Sequence, residues 1–216
     1  MLGNDLFIFD LDDTLVMTEK IHHECWNAAL NQSMTYEQFC SIFHTSVEGG
    51  IEFYLKDRYK ELVTLKAELF GRILATNPER FTLNEGCETF LRRLIVCRKP
   101  FVIVTNSQRR IVDMVLQRFP ILALSLRVYC REDMTAPKPN SACFAQVLRD
   151  FPCQRPVIFE DSLTGIIAAS GVNADVVFVN RSSYIHYDTI VTRYRPTKTV
   201  MNFIGLDEDM LVHQND

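Results

Sequence analysis

Near its start the chain places three carboxylates, Asp10, Asp12 and Asp13, at the end of the apolar run Phe7-Ile8-Phe9. Acids this close together repel one another unless a cation, a proton or a hydrogen-bond donor answers them. A carboxylate so placed can attack phosphorus and form an aspartyl phosphate, splitting one hard step into two easier ones. A second carboxylate two residues on, Asp12, can protonate the leaving oxygen and then deprotonate the attacking water. Thr105-Asn106-Ser107 follows the run Phe101–Val104, and Glu160-Asp161-Ser162 follows Val157–Phe159. Lys138 stands between Pro137 and Pro139. Hard oxygen donors such as Asp10, Glu160 and Asp161 suit Mg2+, which also binds phosphate. Lys138 and the Thr105 hydroxyl suit the equatorial oxygens of an anion, and backbone N–H groups at the helix start after Ser107 add donors. Carboxylate, Mg2+ and lysine around one anion form the constellation of phosphoryl transfer.

These groups must converge for any of this to hold. Four short runs, 6–9, 101–104, 157–159 and 176–179, are apolar without alternation, as in strands buried on both faces of a parallel sheet. Helix-period segments lie between them, around Phe90–Ile95, Ile111–Phe119, Phe144–Phe151 and Leu163–Ile167, the last closing at Gly171. Alternating strands and helices predict an open α/β sheet with right-handed crossovers, whose ligands bind outside the carboxyl ends of the strands. The span 18–81 is the exception: it has no convincing strand and reads as several helices, broken at Gly49-Gly50 and ended at Asn77-Pro78. Thr199 to Ile204 reads as a final strand, and Ser107 as a helix cap.

FDLDDTLV, VTNS, the lysine of APKPNSACF, and FEDSLTGIIAASG resemble, in order, the four motifs of the haloacid dehalogenase-like superfamily. With a helical insert after the first motif, the pattern is similar to its β-phosphoglucomutase-like and phosphoglycolate-phosphatase-like branch, from Leu6 to about Val179. The resemblance implies a Rossmann-like core of residues 1–17 and 82–216, with a helical cap, 18–81, over the site. It implies Asp10 as nucleophile and Asp12 as general acid/base. Thr105 and Lys138, with Asn106, would bind the substrate's phosphoryl group. Mg2+ would be held by Asp10, the Asp12 backbone carbonyl, Glu160 and Asp161. His22 matches a histidine that lies near the acid/base in the branch; a polar residue on a helix face is the competing reading. Asp13 stands where the superfamily mostly has glycine, with its side chain expected to point away from phosphorus and its N–H to help the phosphate.

Taken singly, each motif has a plainer reading. The Asp cluster could be a solvated turn, Lys138 a surface lysine, and Glu160-Asp161 first-turn acids. A calcium loop from Asp10 would need Gly at Leu15 and Glu at Ile21, and fails. Asp12 argues against dehalogenase chemistry. The stretch His44–Gly50 has Glu48 and no Arg to grip a distal phosphate, which disfavours a phosphomutase. The expectation is a phosphatase of a small phosphorylated metabolite, with a phosphomutase second and a non-catalytic binding protein third.

The 216 residues are 47 % hydrophobic, with net charge −4 and no basic tract, so neither nucleic acid nor an anionic membrane is an expected partner. Seven Cys without a C-x-x-C pair suggest core residues in a reducing, cytoplasmic setting. No signal-peptide pattern is read at the start, and no apolar run nears the roughly 20 residues that span a bilayer. A monomer or weak dimer is expected.

Overall fold

The computed structural model describes residues 5–43, 56–180 and 187–207. Six strands form one parallel sheet: β1 (Asp5–Phe9), β2 (Phe101–Val104), β3 (Val128–Tyr129), β4 (Arg155–Glu160), β5 (Asp175–Val179) and β6 (Lys198–Val200). The order is β3-β2-β1-β4-β5-β6. The chain therefore builds outward from β1 on one side, then returns to build on the other. Such a reversal leaves a crevice at the carboxyl ends of the central strands, here β1 and β4. Phe9 lies opposite both Ile103 of β2 and Phe159 of β4, so Asp10, Thr105 and Glu160 leave the sheet at nearly one level.

The strands lack alternation because both faces are covered. Phe7 and Phe9 face helices α4 (Cys87–Val96) and α5 (Arg109–Arg118), in a core that includes Phe90, Leu94, Val112 and Val115. Leu6 and Ile8 face the other way, toward α6 (Ala142–Asp150) and α7 (Leu163–Ser170), with Phe144, Val147 and Ile166. The Phe-rich composition has a local use: the rings of Phe7, Phe9, Phe90, Phe159 and Phe203 meet one another in stacked, tilted and edge-on pairs.

Between β1 and α4 lie α1 (Glu19–Leu30), α2 (Tyr36–Phe43) and α3 (Tyr59–Thr76). Trp26, Ala29, Phe39, Cys40 and Leu62 make a small apolar centre of their own. Ile21, Cys25, Ala67 and Phe70 instead join the main core below β1. The two connections to this helical block run side by side. Val16 bridges Leu83 in antiparallel fashion, the Met17 N–H donates to the Thr82 carbonyl at 2.9 Å, and the Asn84 side chain donates to the Thr14 carbonyl at 3.0 Å.

Two expectations change. The last strand is Lys198–Val200, not 199–204; the residues after it turn so that Phe203 drops into the aromatic cluster. The edge strand β3 is only two residues long, too short to give a periodic signal. No helix among the described residues is long and apolar enough to cross a membrane.

Candidate active site

Asp10 follows β1 directly, and its N–H donates to the Phe159 carbonyl at 3.0 Å, so its position is tied to β4. Lys138 arrives from the loop before α6 and is 5 % exposed. Its ammonium donates to Asp10 Oδ1 at 2.5 Å and to the Val104 carbonyl at 2.7 Å, and it pairs closely with Glu160. Two protein acceptors and an ion pair thus already engage the ammonium, and a phosphate oxygen would have to displace one of these partners. The two carboxylates hold the ammonium charged and push its pKa up, against the opposing effect of burial. Glu160 is fully enclosed, and Gly165 on α7 leaves the space for it: a Cβ there would fall 1.8 Å from Glu160 Oε2. Ser162, between them, caps α7 by accepting the Gly165 N–H at 3.0 Å.

Asn106, expected at the substrate, is engaged by the loop that carries Lys138. Its amide donates to the Lys138 carbonyl and accepts the Lys138 N–H, each at 3.0 Å. This reciprocal pair locks the two loops together, so the side chain positions Lys138 while the residue also lines the cavity.

Asp12 points to the opposite wall. Its Oδ2 accepts from Ser107 Oγ at 2.5 Å and from Thr105 Oγ1 at 3.3 Å. Its Oδ1 accepts from Thr18 Oγ1 at 2.7 Å and lies 3.0 Å from His22 Nε2. Burial works against this carboxylate, but His22, Ser107 and Thr18 together hold it below the usual carboxylate range. His22 stacks on Phe70 with centroids 4.9 Å apart. Burial and the nearby Lys66 charge push its pKa down. Facing a carboxylate, Nε2 donates to Asp12, and Nδ1 is buried without a partner among the described residues. His22 thereby faces the site, in preference to the plain helix-face reading.

Several residues of the site carry no sequence signal or one that points elsewhere. Ser107 has the sequence position of a helix cap, yet α5 is capped at Gln108 with no side-chain bond, and the Ser107 hydroxyl serves Asp12. Thr18 stands at the N-cap position of α1 but donates to Asp12 in place of capping. Thr14 donates to Asp161 Oδ1 at 3.1 Å, and Lys66 reaches the site from α3; neither carries a sequence signal. Asp13 has φ 57°, the left-handed conformation that glycine adopts freely, which accounts for a position where glycine is usual. Its N–H donates to the Val16 carbonyl at 2.7 Å, so it closes the turn and does not serve a phosphate. The Asp13 side chain lines the rim next to Asp161.

A cavity of about 220 Å³ collects Asp10, Asp12, His22, Lys66, Thr105 and Lys138. A larger one of about 520 Å³, lined by Met17, Lys20, Arg80 and Asn180, meets it along Asp13, Glu19 and Asp161. Oxygens of Asp10, Glu160 and Asp161 all lie within 4.8 Å of one another. Burial, partly opposed by Lys138, pushes Asp10 up to about 8, and burial also raises Glu160 and Asp161. Enclosed, mutually repelling oxygen donors of this kind fit a small hard divalent cation. The carboxylate of Asp12 is not one of the three.

The haloacid dehalogenase-like hydrolase family matches residues 7–179, and the chain belongs to that family. An uncharacterized protein of Haemophilus influenzae is 24 % identical over 191 residues, 82 % of this chain and 92 % of the relative. The crystal structure of CbbY from Rhodobacter sphaeroides in complex with phosphate superposes with TM-score 0.82 at 17 % identity, covering 98 % of this chain and 99 % of that one. That of a family IA, variant 3 hydrolase from Entamoeba histolytica gives TM-score 0.80 at 17 % identity, covering 96 % and 97 %. At such identities the likeness is one of fold.

Proposed function

We propose that this member of the haloacid dehalogenase-like hydrolases is a Mg2+-dependent phosphatase of a small phosphorylated metabolite, with residues 18–81 as a cap over the site. One observation carries the reading: two carboxylates of one cavity have different partners. Asp10 is aimed by Lys138 into an acid-rich recess, while Asp12 is oriented on the facing wall by Ser107, Thr105, Thr18 and His22. That division suits a nucleophile and an acid/base.

In this reading Asp10 attacks phosphorus and the ester P–O bond breaks. The departing oxygen takes a proton from Asp12, and an aspartyl phosphate remains. Water then attacks that phosphorus, gives its proton to Asp12, and releases phosphate and Asp10. Asp12 must first gain a proton, and the dianionic substrate favours this because a like charge raises a carboxyl pKa. Lys138 and Thr105 hold the phosphoryl oxygens, and Asn106 fixes Lys138. Mg2+ on Asp10, Glu160, Asp161 and the Asp12 backbone carbonyl would neutralise the recess and polarise the phosphoryl group. The seven free thiols fit a reducing compartment such as the cytoplasm.

The test is phosphate release from a broad panel of phosphorylated metabolites with Mg2+. EDTA and Asp10→Asn should each abolish it. Isomer interconversion that requires a bisphosphate activator, with little net phosphate release, would replace this reading with a phosphomutase. The stretch His44–Gly50 that bears on that choice lies outside the described residues.

A further inference from the structure

The acidic recess holds its three carboxylates by different means. Lys138 engages both Asp10 and Glu160. Among the described residues Asp161 has no ion-pair partner, and its one hydrogen-bond donor is the Thr14 hydroxyl, at 3.1 Å. Asp10, Asp13, Glu160 and Glu19 all repel its charge, which leaves that hydroxyl to set how the carboxylate is turned.

Thr14 is fully buried, and its own placement comes from a distant part of the chain. Within the turn, the Leu15 and Val16 N–H groups return to the Leu11 carbonyl, and the Asp13 N–H donates to that of Val16. The carbonyls of Thr14 and Leu15 are instead both taken by Asn84. Its side-chain amide donates to Thr14 at 3.0 Å and its backbone N–H to Leu15 at 2.9 Å. Bonds to consecutive carbonyls fix the two peptide planes that follow Thr14, and so the direction in which its side chain leaves the turn. Asn84 lies on the linker that returns from the helical block, one residue after Leu83 bridges Val16. It is 3 % exposed, and its Oδ1 is buried with no hydrogen-bond partner among the described residues. An unpaired buried amide oxygen costs stability, and a leucine of similar size would avoid that cost. Packing alone therefore does not account for the amide, whose N–H has the Thr14 carbonyl as its partner.

We propose that Asn84 is a positioning residue of the cation site. Through Thr14 it orients Asp161, and so ties the affinity of the recess for a divalent cation to the linker of the helical block. The inference rests on the recess being the Mg2+ site, as given under Proposed function. Residues that hold a metal ligand in place are commonly worth about 10–100-fold in metal affinity.

The experiment titrates Mg2+ into EDTA-treated, dialysed protein and follows binding by calorimetry. Thr14→Val should weaken binding about tenfold or more, and Thr14→Ser should restore most of it. Asn84→Leu should weaken it about three- to tenfold, one step further from the metal, while Tm without metal stays near that of wild type. Asn84→Ala, which lacks both the amide and the bulk of leucine, should show the same loss of affinity. In a Thr14→Val background Asn84→Leu should add little, because both changes remove one chain of contacts. Wild-type affinity in Asn84→Leu and Asn84→Ala, or full additivity with Thr14→Val, would overturn the proposal. If wild type releases phosphate with Mg2+ but its affinity ignores Asn84, this inference falls alone. If affinity follows Asn84 but no phosphorylated metabolite is hydrolysed, the phosphatase reading falls alone. A wild type that binds no Mg2+ would overturn both.

Discussion

Gly165 gives the sharpest single test of how the acidic recess is held. A methyl group at this position would lie 1.8 Å from Glu160 Oε2 and 2.0 Å from its Cδ. Ordinary heavy-atom contact needs about 3.5 Å. The carboxylate would therefore have to retreat by more than an ångström from a place with no free volume. Lys138 would lose one of its two anionic partners while remaining buried, a change that costs about 3–5 kcal/mol. Alanine inside a helix returns about 1 kcal/mol relative to glycine. Gly165→Ala should thus destabilise the fold by about 2–4 kcal/mol. For a chain of this length that lowers Tm by roughly 4–16 °C, taking about 2–4 °C per kcal/mol. Thermal unfolding followed by circular dichroism measures the shift, and phosphate release should fall along with it. Removing the obstructed group should relieve the clash, so Gly165→Ala with Glu160→Ala should be about 1–3 kcal/mol more stable than the sum of the single changes. A Gly165→Ala protein with wild-type Tm and activity, or strict additivity in the double variant, would refute the account of Gly165 as the space that seats Glu160.

Asp13→Gly should keep activity within about threefold and move Tm by no more than a few degrees, because relief of the left-handed backbone is offset by the freedom glycine gains in the unfolded chain; a folded but inactive variant would mean that Asp13 takes part in the chemistry. Asp12→Asn should remove turnover while unfolding remains cooperative. Ser107→Ala should lower kcat by about tenfold, since it deletes the 2.5 Å bond to Asp12, with thermal stability within about 1–2 kcal/mol of wild type by unfolding. The recess also predicts a pH dependence. Asp10, Glu160 and Asp161 have folded pKa values above their ordinary ones, so their stabilising contribution is present below about pH 4 and is lost as pH rises through the folded values, for Asp10 about 8. EDTA-treated protein should lose stability over that window, and Mg2+ should raise Tm more at pH 8 than at pH 5; an equal Mg2+ effect at both would show that these acids do not bind it.

Four of the six strands were legible because they are buried on both faces, which leaves uninterrupted apolar runs such as Phe7-Ile8-Phe9 ahead of each polar tip. β3 is not, because two residues carry no period, and β6 is shorter than its apolar pattern suggests because Phe203, which lies beyond its end, is buried in the core that the strand's own Val200 packs against. The acids and Lys138 stood out in sequence because carboxylates and a lysine at strand ends have few structural uses. Ser107 and Thr18 did not, since a hydroxyl residue just before a helix is ordinarily a cap, and only the fold shows that both donate to Asp12. Lys66 is one of several cations on a long amphipathic helix, and its selection for the cavity depends on how α3 is rotated against α1.

The paired connections at Val16–Leu83 and Met17–Thr82 have a consequence for how such a chain can diversify. The helical block leaves and rejoins the sheet at adjacent points, one strand spacing apart. Closing that gap with a different insertion of any length carries only a slowly growing entropic cost. Insertions there can lengthen, shorten or be exchanged without altering the register of β1 against β4, and so without moving Asp10 relative to Glu160. The apolar seat formed by Ile21, Cys25, Ala67 and Phe70 is what a replacement would have to reproduce. Within that constraint the choice of substrate can drift while the reacting groups stay fixed.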